Sequence, residues 1–178
     1  RIENITFIPV EIKSDNDVLD ERLPNQILNA ILTFGRSYLV IDKKYILGGT
    51  GYLQNASQIG YGYEPSGSQV KRPAGEKLTW HFTAPNVHDF VWAADPDYKH
   101  LVRKIENGPV INVLYKTGTD LQWNEVADAA VAVYPFIVKN FGAYPYKQYS
   151  FIQGGDGGME YPMATLINGP GIGTVFHE

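Results

Sequence analysis

The chain contains no cysteine, which removes disulfides, thiol nucleophiles and thiolate metal sites together. Any transition metal must then be held by histidine and carboxylate. A basic excess is missing too. Fifteen Lys and Arg face 19 Asp and Glu, a formal charge of −4, so no positive field draws in nucleic acid or an anionic lipid surface. No apolar run approaches the roughly eighteen residues of a spanning helix, so no membrane span is expected. No signal peptide opens the chain, which begins at Arg1, as expected where a leader has been removed or left out. Export, to the periplasm or the outside of the cell, is favoured over a cytoplasmic location.

What is present fits a folded protein: 44% hydrophobic against 19% charged residues is not the balance of a disordered chain. With 178 residues there is length enough for a core, in one domain or in two pieces of a larger one. The 12 tyrosines suit half-buried strand positions.

Periodicity places the elements. Ile8, Val10 and Ile12 alternate with Pro9, Glu11 and Lys13, a half-buried strand with an edge marked by proline. Ile27, Leu28, Ile31 and Leu32 predict a short helix over 25–34 that Gly35 stops. Strands are expected at 37–41 and 45–47, long loops with at most a weak strand over 48–75, and two buried strands at 78–82 and 87–94. Asn107-Gly108 between apolar runs 101–106 and 110–116 signals a hairpin. A helix capped by Asp120 or Asn124 should run to Phe141, kinked at Pro135 and ended by Gly142. Further strands are expected at 149–153 and 163–167. The pattern is β-rich α+β, with a domain boundary near Asp95-Pro96-Asp97 separating 1–97 from 98–178.

Chemistry concentrates near the end. His177-Glu178 follows the small apolar run Val175-Phe176, as at the start of a His-Glu-x-x-His zinc helix. That spacing exists because residues four apart on a helix reach one metal ion together, with the glutamate beside it. Alone, the dipeptide is common by chance, and His177 reads as a surface histidine and Glu178 as an exposed carboxylate. Upstream stands Gly157-Gly158-Met159-Glu160-Tyr161-Pro162. At this separation the two segments resemble the aminopeptidase-N-type zinc metallopeptidases of the gluzincin class, in which a Gly-x-Met-Glu-Asn segment precedes the zinc helix. The segments His88 to Tyr98 and Phe141 to Tyr146 are similar to those flanking the start of that family's catalytic domain. The similarity covers about the last hundred residues; the first seventy match loosely.

The resemblance implies the end of an all-β N-terminal domain, then the opening hairpin, helix and mixed sheet of a thermolysin-like catalytic domain. It implies one zinc ion with His177 as a ligand and Glu178 as general base. Glu160 would bind the α-amino group of a peptide substrate with a free N-terminus, a charge-assisted contact that is strong where water is excluded. Gly157, Gly158 and Met159 would belong to an edge strand against which the substrate lies as an added strand. Tyr161 departs from the family's asparagine, which puts strict aminopeptidase specificity in doubt. The second histidine, the glutamate ligand and the oxyanion-stabilising tyrosine would follow Glu178. The chain alone is therefore expected to be inactive and free of zinc, since zinc sites use three or four protein ligands.

Two other readings remain: a non-catalytic β-rich binding domain, and a pseudo-peptidase or endopeptidase that lacks amine recognition. His81, His88 and His100 show no metal-like spacing and read as structural or surface residues. Trp80, Trp92 and Trp123 read as core. Gly169-Pro170-Gly171-Ile172-Gly173 lacks the lysine and hydroxyl residue of a phosphate loop and reads as a connection into the last helix.

Overall fold

The computed structural model describes residues 11–12, 36–155 and 157–177. The expected helix over 25–34 and most of the first strand lie outside them. The described chain is β-rich α+β, with three sheets and few helices.

The first sheet has the order β1-β2-β5-β4, from Glu11–Ile12, Arg36–Asp42, Lys77–Thr83 and Tyr52–Leu53. Strict alternation builds it. Leu39 and Ile41 of β2 and Leu78, Trp80 and Phe82 of β5 turn to one face and are buried with Leu47 and Ile59. Two further strands, β3 (Ile46–Gly49) and β6 (Trp92–Asp95), pair antiparallel as a separate ribbon. A one-turn helix α1 (Ala56–Ile59) fills part of the stretch expected to be loop.

The chain turns at Pro96-Asp97 into a five-stranded mixed sheet of order β10-β11-β9-β8-β7. Its strands are β7 (Tyr98–Lys104), β8 (Val110–Lys116), β9 (Gln148–Gln153), β10 (Gly158–Tyr161) and β11 (Ala164–Ile167). The parallel pair β8–β9 is joined through the 22-residue helix α2 (Asp120–Phe141). The α2 stripe Trp123, Val126, Ala127 and Ala130 packs on Ile111, Val113, Tyr115, Phe151 and Ile167. The other face of the sheet, through Leu114, Ile152 and Ala164, meets Val91, Ala93 and Ile46 from the first half. A short helix α3 (Ile172–His177) adds Val175 to the helix-side core. Among the described residues no helix is long and apolar enough to cross a membrane.

Four local expectations need correction. Residues 87–91 form no ladder: Val91 instead donates its N–H to the Thr50 hydroxyl at 3.2 Å and accepts the Thr50 N–H at 2.9 Å. The hairpin turn is wider than two residues because Pro109 has no N–H for the ladder, and the last pair is Lys104–Val110. Neither Asp120 nor Asn124 is the helix cap. Thr119 occupies that position, and Asp120, the first helical residue, accepts from Lys99, from the Tyr115 hydroxyl at 3.2 Å and from the Gly118 N–H at 3.3 Å. Those donors, Lys99 first, hold its carboxyl below the ordinary range. Finally, α3 begins at Ile172, so the glycine connection is shorter than expected.

Candidate functional site

Among the described residues β10 is the outermost strand of its sheet, and it pairs antiparallel with β11, Met159 opposite Leu166 and Glu160 opposite Thr165. Gly158, Met159 and Glu160 are all exposed, so both faces of the strand are open. The Thr165 hydroxyl donates to the Met159 carbonyl at 3.0 Å and fixes the strand from its inner side.

The turn that sets the strand is Pro162-Met163. Met163 has φ +66°, a backbone conformation that costs a side-chain-bearing residue roughly 1–2 kcal/mol. Its side chain is 1% exposed, and burying a methionine contributes about 1.5–3 kcal/mol, enough to offset the strain. The carbonyls of the turn are held as well. Met163 accepts from the Ser150 N–H at 3.0 Å and the Gln148 amide at 3.3 Å, and Pro162 accepts from the Thr50 hydroxyl at 2.9 Å. An N-terminal residue, Thr50, thus anchors the hairpin of the candidate site.

Gly157 stands just before β10, and its carbonyl accepts the Asn168 N–H at 2.9 Å. A Cβ placed on it meets nothing within 4 Å. His177 is the last residue of α3 and is exposed; Glu178 lies outside the described residues. The imidazole borders an apolar groove of about 580 Å³, walled by Val133, Ile137 and Phe141 of α2, Tyr149 and Phe151 of β9, and Phe176.

The structure therefore sets the sequence candidates on two elements, Gly158, Met159 and Glu160 on β10 and His177 on α3. Among the described residues no three His, Asp or Glu side chains gather closely enough to hold a metal ion. One imidazole does not fit a zinc ion by itself, so no step through zinc is derived from these residues.

Sequence reasoning passed over a polar cluster on the sheet face toward the first half of the chain. Asn112, Gln148 and Ser150 are buried there. The Asn112 amide donates to Gln148 Oε1 at 3.0 Å, the Ser150 hydroxyl to the same oxygen at 2.9 Å, and the Gln148 amide to the Gly51 carbonyl at 3.0 Å. The signal was available: Asn112 interrupts an otherwise apolar strand, and Gln148 and Ser150 alternate with Tyr149 and Phe151. His100 ends the chain of bonds, while exposed His88 lies 3.7 Å from the Asp89 carboxylate and His81 stacks on Tyr38.

The chain matches no family model, and comparison with curated proteins finds no match.

Proposed function

We propose that these residues belong to a zinc-dependent aminopeptidase in which β10 is the substrate platform and Glu160 the anchor for the substrate's terminal ammonium. One observation carries the reading. Gly158, Met159 and Glu160 lie on an exposed edge strand that Gly157 precedes, one hairpin and a short connection ahead of the helix that carries His177. A peptide laid along the free edge gains main-chain hydrogen bonds from β10, and its register brings the first residue beside Glu160. A carboxylate there selects a charged amine, because a blocked N-terminus has no ammonium to pair. In this reading His177 is one zinc ligand and the other ligands come from outside the described residues. The thermolysin-like arrangement of the domain is part of the same proposal.

The test uses the full-length protein carrying these residues and a set of aminoacyl p-nitroanilides with their N-acetylated counterparts. Hydrolysis of the free-amine substrates, lost on chelation and restored by Zn²⁺, is the expected result. Glu160→Gln should lower kcat/KM by roughly 10- to 100-fold, the loss of one hydrogen bond between charged partners. Equal turnover of acetylated substrates would mean an endopeptidase. No hydrolysis by zinc-loaded protein would leave the non-catalytic binding domain.

The 178-residue chain by itself should bind less than stoichiometric zinc and leave these substrates intact. Metal analysis of the purified chain after zinc loading and gel filtration checks this, and one tightly held zinc per chain contradicts it.

A further inference from the structure

The tripeptide Asn-Gly-Pro occurs twice in the chain, at Asn107-Gly108-Pro109 and at Asn168-Gly169-Pro170. An asparagine followed by glycine is chemically labile, because the next main-chain nitrogen lies within reach of the side-chain amide carbon and glycine carries no side chain to block it. The reaction needs that nitrogen free. It must lose its proton and swing toward the asparagine side chain, so a hydrogen bond from its N–H, or close packing around the glycine, confines the reaction to molecules in which the turn has opened. The two sites share their reactive residues and differ in their surroundings.

Asn107 sits in the turn between β7 and β8, in the left-handed region with φ +56°. The Gly108 N–H donates to the Ile105 carbonyl at 3.1 Å, and the Ile105 N–H donates to the Pro109 carbonyl at 3.4 Å, so the turn is closed on both sides. The glycine is crowded as well. A Cβ built on Gly108 would lie 2.6 Å from Ile105 Cγ2 and 2.8 Å from Tyr134 Cε1, so its nitrogen swings only if a hydrogen bond breaks and two side chains move. Asn168 is placed otherwise. It follows β11 in the connection to α3 and is exposed, with its own N–H donating to the Gly157 carbonyl at 2.9 Å. That bond fixes the asparagine and leaves the next residue alone. Among the described residues the Gly169 N–H meets no acceptor, and a Cβ placed on Gly169 meets nothing within 4 Å.

We propose that Asn168 is a site of spontaneous deamidation and that the fold protects Asn107 from the same reaction. Hydroxide takes the Gly169 N–H proton, the nitrogen forms a bond to Asn168 Cγ, and the side-chain nitrogen leaves as ammonia, taking a proton back from water. A five-membered succinimide results. Water then breaks one of its two carbonyl–nitrogen bonds: opening at the main-chain carbonyl gives isoaspartate, and opening at the side-chain carbonyl gives aspartate. Either product adds a negative charge. Isoaspartate also routes the main chain through the former side chain and so lengthens the connection between β11 and α3 by a carbon. The same residue holds the Gly157 carbonyl ahead of β10, so the modification falls where strand and helix are both tied. This site is independent of the peptidase reading.

The purified chain is incubated in mildly alkaline buffer, either folded or unfolded in guanidinium chloride, then digested in acid, and its two Asn-Gly peptides are followed by mass spectrometry. In the folded chain Asn168 should convert roughly tenfold or more faster than Asn107, which reacts only from the opened fraction of its turn. In denaturant the two rates should come together. Gly169→Ala, whose new carbon has open space, should fold as the natural protein does and convert several-fold more slowly at Asn168. Equal rates at the two sites in the folded chain overturn the proposal. So does an advantage of Asn168 that persists undiminished in denaturant, since it would then owe nothing to the fold. A folded chain in which Asn168 stays intact while the unfolded one reacts overturns it too, as does a Gly169→Ala protein that converts as fast as the natural one.

Discussion

Trp123→Ala is expected to destabilise the protein by about 3–5 kcal/mol, the cost of emptying a large aromatic site in a packed core. Trp123 is fully buried at the start of the α2 stripe, its ring 6.0 Å from that of Tyr115. It sits where helix and sheet meet, with Val126, Ala127 and Ala130 following on the same side. Total stabilities of domains are about 5–15 kcal/mol, so this loss consumes much of what holds the sheet and α2 together. Urea denaturation should show a lower midpoint with little change in slope. Trp123→Phe should cost far less. Among the described residues the indole N–H meets no acceptor, so replacing it removes no hydrogen bond. Phe141→Ala, at a position 80% exposed, should stay within about 0.5 kcal/mol of the natural protein. A Trp123→Ala protein as stable as the Phe141→Ala protein would contradict this account of the core.

The contrast shows what the sequence made legible. Leu78, Trp80 and Phe82 alternate so regularly that their strand and buried face could be read directly. Val126 and Ala130, four apart, likewise share the buried side of α2. Farther along that helix, Val133, Ile137 and Phe141 belong to an open groove instead of a closed core. A helical stripe states which side is apolar, not what covers it. Short elements escaped for another reason. Residues 87–91 are apolar enough for a strand, yet Thr50, 41 positions away, takes the Val91 N–H with its side chain. No local pattern encodes a bond of that span.

The candidate site divides in the same manner. The residue types of Gly157 to Glu160 were visible in the sequence, and resemblance suggested an edge strand. What fixes the position of that strand was not visible. Thr50, Gln148 and Ser150 converge on the Pro162-Met163 turn from distant parts of the chain. His100 was readable only as a structural or surface histidine, and its pair of acceptors emerged when Tyr61 and Asn112 were placed on either side of it.

Gly49→Ala tests that long-range support and should cost about 3 kcal/mol, the upper end for overpacking a close contact. A Cβ on Gly49 would lie 2.4 Å from the Val91 carbonyl oxygen and 3.0 Å from the Trp92 Cα. Both are backbone atoms, so the clash cannot be relieved by turning a side chain. The same carbonyl accepts the Thr50 N–H, and the Thr50 hydroxyl holds Pro162. Moving β3 away from β6 therefore strains the anchor of the β10–β11 hairpin, and amide exchange at Met159 to Tyr161 should accelerate along with the loss of stability. Gly48→Ala is milder, about 1–2 kcal/mol, because its Cβ meets the end of the Leu114 side chain at 2.6 Å, which can rotate at some cost in packing. Gly157→Ala, with nothing within 4 Å of the new carbon, should leave stability unchanged. Under the proposed aminopeptidase reading, Gly49→Ala in the full-length protein should raise KM more than it lowers kcat, since it would loosen the proposed peptide platform without altering Glu160. If exchange at Met159 to Tyr161 stays as slow in Gly49→Ala as in the natural protein, Thr50 is not what positions the edge strand.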